Sequence, residues 1–301
     1  MVGNRPNVRF FRRANVNIVW LEQAICQELQ RVGGKVANLS RLAADYRVPP
    51  GFCLTTAAYG TWAEVGGGDW PTQLLQELNT SYAEMTERCE AESLQVAVRS
   101  SAIDEDGQSA SFAGQYETYL NVSGAEDVAE AVAHCWASAQ SEQVLEYRSQ
   151  NDLPVDNVQI AVLVQQMVLA DIAGVAFSAN PVNKNRDEVV INTSWGLGES
   201  VVCGTVSPDT YVVSKSDLQV LEREIAEKEK MTVAHPAEGT REVDVPRFMR
   251  GESTLDDAKV IEIAQLARML EEQMGWPVDI ECAYHGETLY LLQCRPITTL
   301  D

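Results

Sequence analysis

Apolar positions change period along the chain, and the change divides it. Residues 17–21 form a short apolar run that predicts a strand. A Gly33-Gly34-Lys35 turn follows, and residues 36–46 predict a short amphipathic helix. Pro49-Pro50-Gly51 marks a hard turn. Over 70–92, Leu74, Leu75, Leu78, Tyr82 and Met85 recur at helical spacing. The pattern then shortens. Strands are predicted at 94–99, 117–122 and 158–168, with a polar loop at 100–114 and a helix over 125–151. Further strands are predicted at 174–178, 188–193 and 210–214, and a Gly-rich turn at 195–199. Charges cluster at 222–230, which reads as a solvated, partly extended segment. Residues 255–274 predict a helix with Val260, Ile263, Ala267, Leu270 and Met274 on one stripe. Two strands, 278–283 and 288–294, predict a closing hairpin around His285-Gly286-Glu287. No regular βαβ repeat is present, so the class expected is α+β, with mixed sheets and helices in lobes around a cleft.

Composition narrows this picture. The 301 residues are 45% hydrophobic, enough for a sizeable core in one large domain or two smaller ones. No stretch approaches the roughly 18 unbroken apolar residues that span a bilayer. Residues 1–16 read as a flexible tail; Arg5, Arg9, Arg12 and Arg13 are followed by no apolar core, so no secretory signal is expected. The net charge of −21 repels nucleic acid and anionic membranes, and neither is expected as a partner. The same field repels polyphosphates, so a polyphosphate site in this chain must gather its cations locally and recruit a metal ion. Seven cysteines include no C-x-x-C pair, which predicts reduced, mostly buried thiols in a cytoplasmic protein. His134, His235 and His285 lie far apart and have no metal-ligand spacing.

Five constellations remain as candidate chemistry. In the closing hairpin, alternation puts Asp279 and Glu281 on one face, opposite Gln293 and Arg295, while Ile280, Cys282, Leu292 and Cys294 take the reverse. A carboxylate and an amide offer hard oxygens suited to Mg²⁺, beside a guanidinium able to grip a phosphate. An ordinary exposed hairpin face with one ion pair fits the same pattern. Gly33-Gly34-Lys35 can bring backbone N–H groups and an ammonium to an anion, but the spacing is not that of a Walker A loop, and a solvated helix-entry turn also fits. Residues 96–101 deliver Arg99 at the end of an apolar strand, and the loop after it returns to Gly114, the build of a mobile cover over phosphates or of a plain surface loop. Trp195-Gly196-Leu197-Gly198-Glu199 lacks the third glycine of a dinucleotide fingerprint; it fits a tight turn or a close approach to a ligand with Glu199 near a metal. Gln165 and Gln166 end an apolar strand, either as strand-end residues meeting solvent or as an amide contact to a nucleotide.

The order of these segments carries more than any one of them. Gly33-Gly34-Lys35-Val36-Ala37-Asn38-Leu39, Val48-Pro49-Pro50-Gly51-Phe52, Val98-Arg99-Ser100-Ser101-Ala102 with Glu105-Asp106, Ala110-Ser111-Phe112-Ala113-Gly114-Gln115 with Glu117-Thr118-Tyr119-Leu120-Asn121, Trp195-Gly196-Leu197-Gly198-Glu199, and Asp279-Ile280-Glu281 with Leu292-Gln293-Cys294-Arg295-Pro296 occur in that sequence. Together they resemble the N-terminal ATP-binding domain of phosphoenolpyruvate synthase, pyruvate phosphate dikinase and rifampicin phosphotransferase, over about residues 17–299. The resemblance implies an ATP-grasp-like domain over 17–301, with lobes meeting near 95–120 and 190–250. It implies Lys35, Arg99 and Arg295 as phosphate-binding cations and Gly114 and Thr118 as the loop over the phosphates. Gln165 is implied as a nucleotide contact, and Glu281 and Gln293 as Mg²⁺ ligands, with Asp279 and Glu199 nearby. The reaction implied splits ATP to AMP and phosphate and places a phosphoryl group on a histidine of a separate carrier domain. A stand-alone kinase or ligase acting on a small-molecule acceptor, and a non-catalytic nucleotide-binding regulator, are the alternatives. Three positions depart from the family: Val36 and Ser40 stand where glycine is common, and Ile103 where threonine is usual. No phosphohistidine segment and no acceptor domain have a counterpart in residues 1–301.

Overall fold

In the computed structural model, which describes residues 16–103, 117–150, 158–237 and 239–300, two large antiparallel sheets and a separate two-stranded hairpin account for the strands among the described residues. The first holds β1 (Ile18–Trp20), β2 (Gly51–Leu54), β3 (Gln95–Ala102), β4 (Thr118–Ser123) and β5 (Ile160–Gln166), in the order β1-β2-β5-β3-β4. Five helices accompany it: α1 (Leu29–Leu42), α2 (Thr56–Glu64), α3 (Thr72–Arg88), α4 (Ala125–Ser138) and α5 (Glu142–Gln150). Both faces of this sheet are covered, and strand alternation sorts its side chains between two cores. Phe52, Leu54, Val162 and Val164 pack with Trp62, Leu78, Met85 and Trp136 from α2, α3 and α4. Cys53, Ala161 and Leu163 turn the other way, onto Val32, Val36 and Leu39 of α1.

The second sheet contains β6 (Ile172–Phe177), β7 (Glu188–Trp195), β8 (Asp209–Ser214) and β9 (Val220–Glu224). A separate hairpin, β10 (Lys230–Ala234) with β11 (Thr240–Asp244), precedes β12 (Val278–His285) and β13 (Thr288–Pro296), and the sheet order is β13-β12-β6-β7-β8-β9. Helix α6 (Glu199–Val202) follows β7, and α7 (Asp257–Met274) covers the sheet. Asp256 caps α7 by accepting the Lys259 amide, and Gly275 ends it in the left-handed conformation at φ 77°. The buried stripe Val260, Ile263, Ala267 and Leu270 is the one the periodicity predicts. Because α1 shares its core with Ile280 and Cys294 as well as with Leu163, it lies between the two sheets. The chain thus adopts the α+β class expected, and no described helix is long and apolar enough to cross a membrane.

Several elements differ from the sequence reading for local reasons. Helix α1 begins at Leu29, ahead of the glycines, and bends at Gly33, which takes φ 75° and ψ 171°. The bend lets the backbone approach β3, where a Cβ on Gly33 would stand 2.3 Å from the Ser101 carbonyl oxygen. The helix expected over 125–151 is two helices, α4 and α5, broken after Ser138. The charged segment 222–230 is not wholly solvated. Lys228 is fully buried, with its Nζ 2.5 Å from Asp209 Oδ1. Asp209 also accepts from the Ala226 and Thr254 amides and the Thr254 hydroxyl, so the buried carboxylate is saturated with donors. All seven cysteines are free thiols, five of them buried. Burial pushes the Cys26 and Cys282 thiols up to about 12, which keeps them protonated and inert.

Candidate functional site

The hairpin of β12 and β13 pairs in the register that strand alternation predicts: Glu281 faces Gln293 and Asp279 faces Arg295. The reverse carries Ile280, Cys282 and Cys294, all in the core. One detail differs. The ladder slips between Glu281 and Cys282, so Cys282 pairs with Leu291, and Leu292 is the extra residue. Leu292 consequently joins the cleft lining instead of the apolar reverse.

Arg99 comes to this hairpin from the other sheet. It lies on β3, where β4 and β5 hold it between Thr118 and Leu163. Its Nη1 is 3.5 Å from Glu281 Oε2 and 3.4 Å from the Leu292 carbonyl. Its Nε is buried and finds no hydrogen-bond partner among the described residues. A buried guanidinium N–H without an acceptor costs free energy unless a ligand supplies one. The bend at Gly33 brings α1 onto the strand that carries Arg99, where the Val36 amide donates to Ser101 Oγ at 3.3 Å, and Lys35 and Arg99 share one cleft.

The cleft so formed has a volume of about 440 Å³ and lies where the two sheets meet. Lys35, Arg99, Thr118, Gln165, Glu199, Glu281, Gln293 and Arg295 line it. The volume falls within the range of small-molecule sites. Among the described residues singled out by sequence, one, Asp279, is not part of this lining. Gly114 lies outside the described residues, as does most of the loop 100–114. Asp279 is only 8% exposed and is turned to Arg295, whose Nε donates to its Oδ2 at 2.8 Å. Burial pushes the Asp279 carboxyl above the usual aspartate range, and the Arg295 guanidinium only partly opposes this.

The remaining positions are differently engaged. Gln165 is 2% exposed and donates its Nε2 to the Pro49 carbonyl at 3.2 Å. Glu199, at the start of α6, accepts the Thr240 hydroxyl at 2.8 Å. Sequence reasoning did not single out the apolar part of the lining: Ala97, Leu120, Met167, Val168 and Leu197. Met167 and Val168 directly follow Gln165 and Gln166 in the link between β5 and β6, and that position between two sheets was the available signal.

The donor set suits a magnesium ion shared with a ligand. Glu281 and Gln293 offer one carboxylate and one amide oxygen from paired positions. Among the described residues no three His, Cys, Asp or Glu side chains could form a metal cage by themselves. Magnesium typically takes one or two protein carboxylates and fills its shell with water and phosphate oxygens.

A family model described as "Pyruvate phosphate dikinase, AMP/ATP-binding domain" matches residues 63–301. Phosphoenolpyruvate synthase of Pyrococcus furiosus is 36% identical, over 94% of this chain and 44% of its own length. The phosphotransferase YvkC of Bacillus subtilis is 38% identical, over 90% of this chain and 34% of its own. Rifampicin phosphotransferase of Streptomyces sviceus is 36% identical, over 89% of this chain and 34% of its own. The chain therefore spans less than half the length of these relatives.

Proposed function

This chain belongs to the pyruvate phosphate dikinase AMP/ATP-binding domain family, and from that premise we propose that its cleft binds Mg-ATP as the ATP-side half of a phosphotransfer. The observation that carries the reading is the meeting of Lys35, Arg99 and Arg295 with Glu281 and Gln293 on one cleft of a strongly acidic chain. Phosphoryl transfer asks a protein for positioning and charge neutralisation more than for covalent help. Arg99 supplies a guanidinium whose buried Nε has no acceptor among the described residues, a role phosphate oxygens would fill. Lys35 adds a compact point charge, and Arg295 a second guanidinium oriented by Asp279. Glu281 and Gln293 would hold Mg²⁺, which when bound neutralises phosphate charge and orients the transferred group. Thr118, and the loop that contains Gly114, are assigned to cover the phosphates. Gln165 and the apolar residues around Met167 are assigned to the nucleoside, and Glu199 to the neighbourhood of the metal.

In the reaction proposed, AMP keeps one phosphoryl group of ATP. A second passes to water and leaves as inorganic phosphate, and the third passes to a histidine on a separate carrier domain or protein. Residues 17–301 are assigned to one ATP-grasp-like domain. Phosphorus NMR of ATP with this chain and a carrier domain tests the assignment. Growth of AMP and inorganic phosphate resonances, together with a phosphohistidine signal, is the expected result. ADP formed with a small-molecule acceptor would replace this reading by a direct kinase.

A further inference from the structure

The hairpin of β10 and β11 lines neither wall of the cleft, yet it is bonded to the elements that build both. On one side, the Leu197 amide donates to the Thr232 carbonyl at 2.8 Å, and Gly196 bridges Thr232 in parallel. Gly196 takes φ 79°, and a Cβ there would stand 2.3 Å from the Thr232 oxygen, so the approach needs a glycine. Thr240, at the start of β11, donates its hydroxyl to Glu199 Oε2 at 2.8 Å. On the other side, the end of the hairpin reaches β4. Asn121 donates its Nδ2 to the carbonyls of His235 at 2.8 Å and Gly239 at 2.9 Å, and its own carbonyl accepts the Gly239 amide at 3.3 Å. Asn121 is 1% exposed and takes φ 58°, a left-handed conformation that asparagine tolerates better than most residues. Its neighbours Thr118 and Leu120 line one wall of the cleft, while Leu197, Gly198 and Glu199 line the other.

We propose that Asn121 is a positioning residue: by holding the end of this hairpin, it fixes the spacing of the two cleft walls and so retains the bound nucleotide. The inference rests on the nucleotide reading of the cleft. A ligand that touches both walls leaves when the walls part around it. Loosening the anchor makes that opening more frequent in the bound state, so the loss falls on dissociation. The Asn121 Oδ1 atom is buried without a partner among the described residues, so the side chain serves here only as a donor.

That separation makes the test specific. Asn121→Gly keeps the left-handed backbone and removes both donors. Asn121→Asp keeps the shape and sets carboxylate oxygens against two carbonyls. In the nucleotide-free protein, hydrogen exchange at the amides of Met231 and Thr232 is expected to accelerate about tenfold in Asn121→Gly. Dissociation of a fluorescent ATP analogue is expected to quicken about tenfold, with association within about twofold of the parent. Thr240→Val cuts the opposite anchor and is expected to move both readouts in the same direction, which keeps the test open if Asn121 variants fold poorly. Parent-like exchange in these variants, or faster exchange with unchanged dissociation, would overturn the proposal. A parent protein that does not bind the analogue would overturn the nucleotide reading instead. The exchange comparison, which needs no nucleotide, tells the two failures apart.

Discussion

At the scale of single residues, Arg295 and Asp279 decide how the site should be probed. Arg295 faces the cleft, but its Nε is bonded to a carboxylate that is 8% exposed. Arg295→Ala therefore removes the proposed phosphate contact and also strands a buried acid. The variant is expected to lose ATP turnover and about 1.5–3 kcal/mol of stability, the worth of a hydrogen bond to a charged group, read by urea unfolding. Unchanged turnover would sink the assignment of Arg295 to the phosphates. Asp279 also makes a pH prediction. Its carboxyl is raised in the folded state, so the folded protein binds more proton than the unfolded chain between the two pKa values. Stability attributable to Asp279 must then fall as pH rises from about 4, the unfolded value. Measured against Asp279→Asn, the parent should lose relative stability over that rise. A gain would mean that Arg295 outweighs burial.

The same pair shows what strand alternation makes legible. Two residue types at period 2, with a turn between them, were enough to set Glu281 against Gln293 and Asp279 against Arg295. Pairing could not say which partner Arg295 prefers, because that depends on how deeply the hairpin is buried. Nor could it foresee the slip after Glu281 that brings Leu292 into the cleft.

At the scale of elements, long-range contacts account for what the sequence left open. The bend in α1 is set by Ser101, which bonds Val36 across 65 residues of chain. Gly33-Gly34-Lys35 therefore reads locally as a turn that starts a helix, whereas it is a close approach within one. Gly33→Ala would force a side chain to 2.3 Å from a backbone oxygen at a positive φ. A loss of about 2–4 kcal/mol is expected from strain and displacement. Weaker ATP binding should accompany it, since Lys35 follows two residues on. Calorimetric melting and an ATP titration on the same sample check both. The buried Lys228 was equally hidden, because its partner Asp209 sits at the head of β8 and the charges around it are exposed. Lys228→Met is expected to cost about 3–5 kcal/mol by leaving Asp209 unpaired, and the double variant with Asp209→Leu to recover much of it. Denaturant midpoints of the four proteins give the coupling directly.

At the scale of the whole molecule, charge and topology pull in opposite directions. A net charge of −21 opposes any polyphosphate, yet α1, β3 and β13 each deliver one cation to a single cleft. The cations come from three distant parts of the chain, and no local pattern joins them; the ordered resemblance to a known domain is what united them before the fold did. Local focusing of positive charge is opposed by so acidic a surround, and in the reading proposed a divalent ion shared with the phosphates would complete the balance. Isothermal titration of ATP into this chain, with and without magnesium, tests that balance most directly, and Glu281→Gln with Gln293→Leu is the control. Binding that requires magnesium in the parent and loses that requirement, along with most of its affinity, in the double variant is the predicted result. Equal binding with and without magnesium, or no difference between parent and variant, would contradict the account.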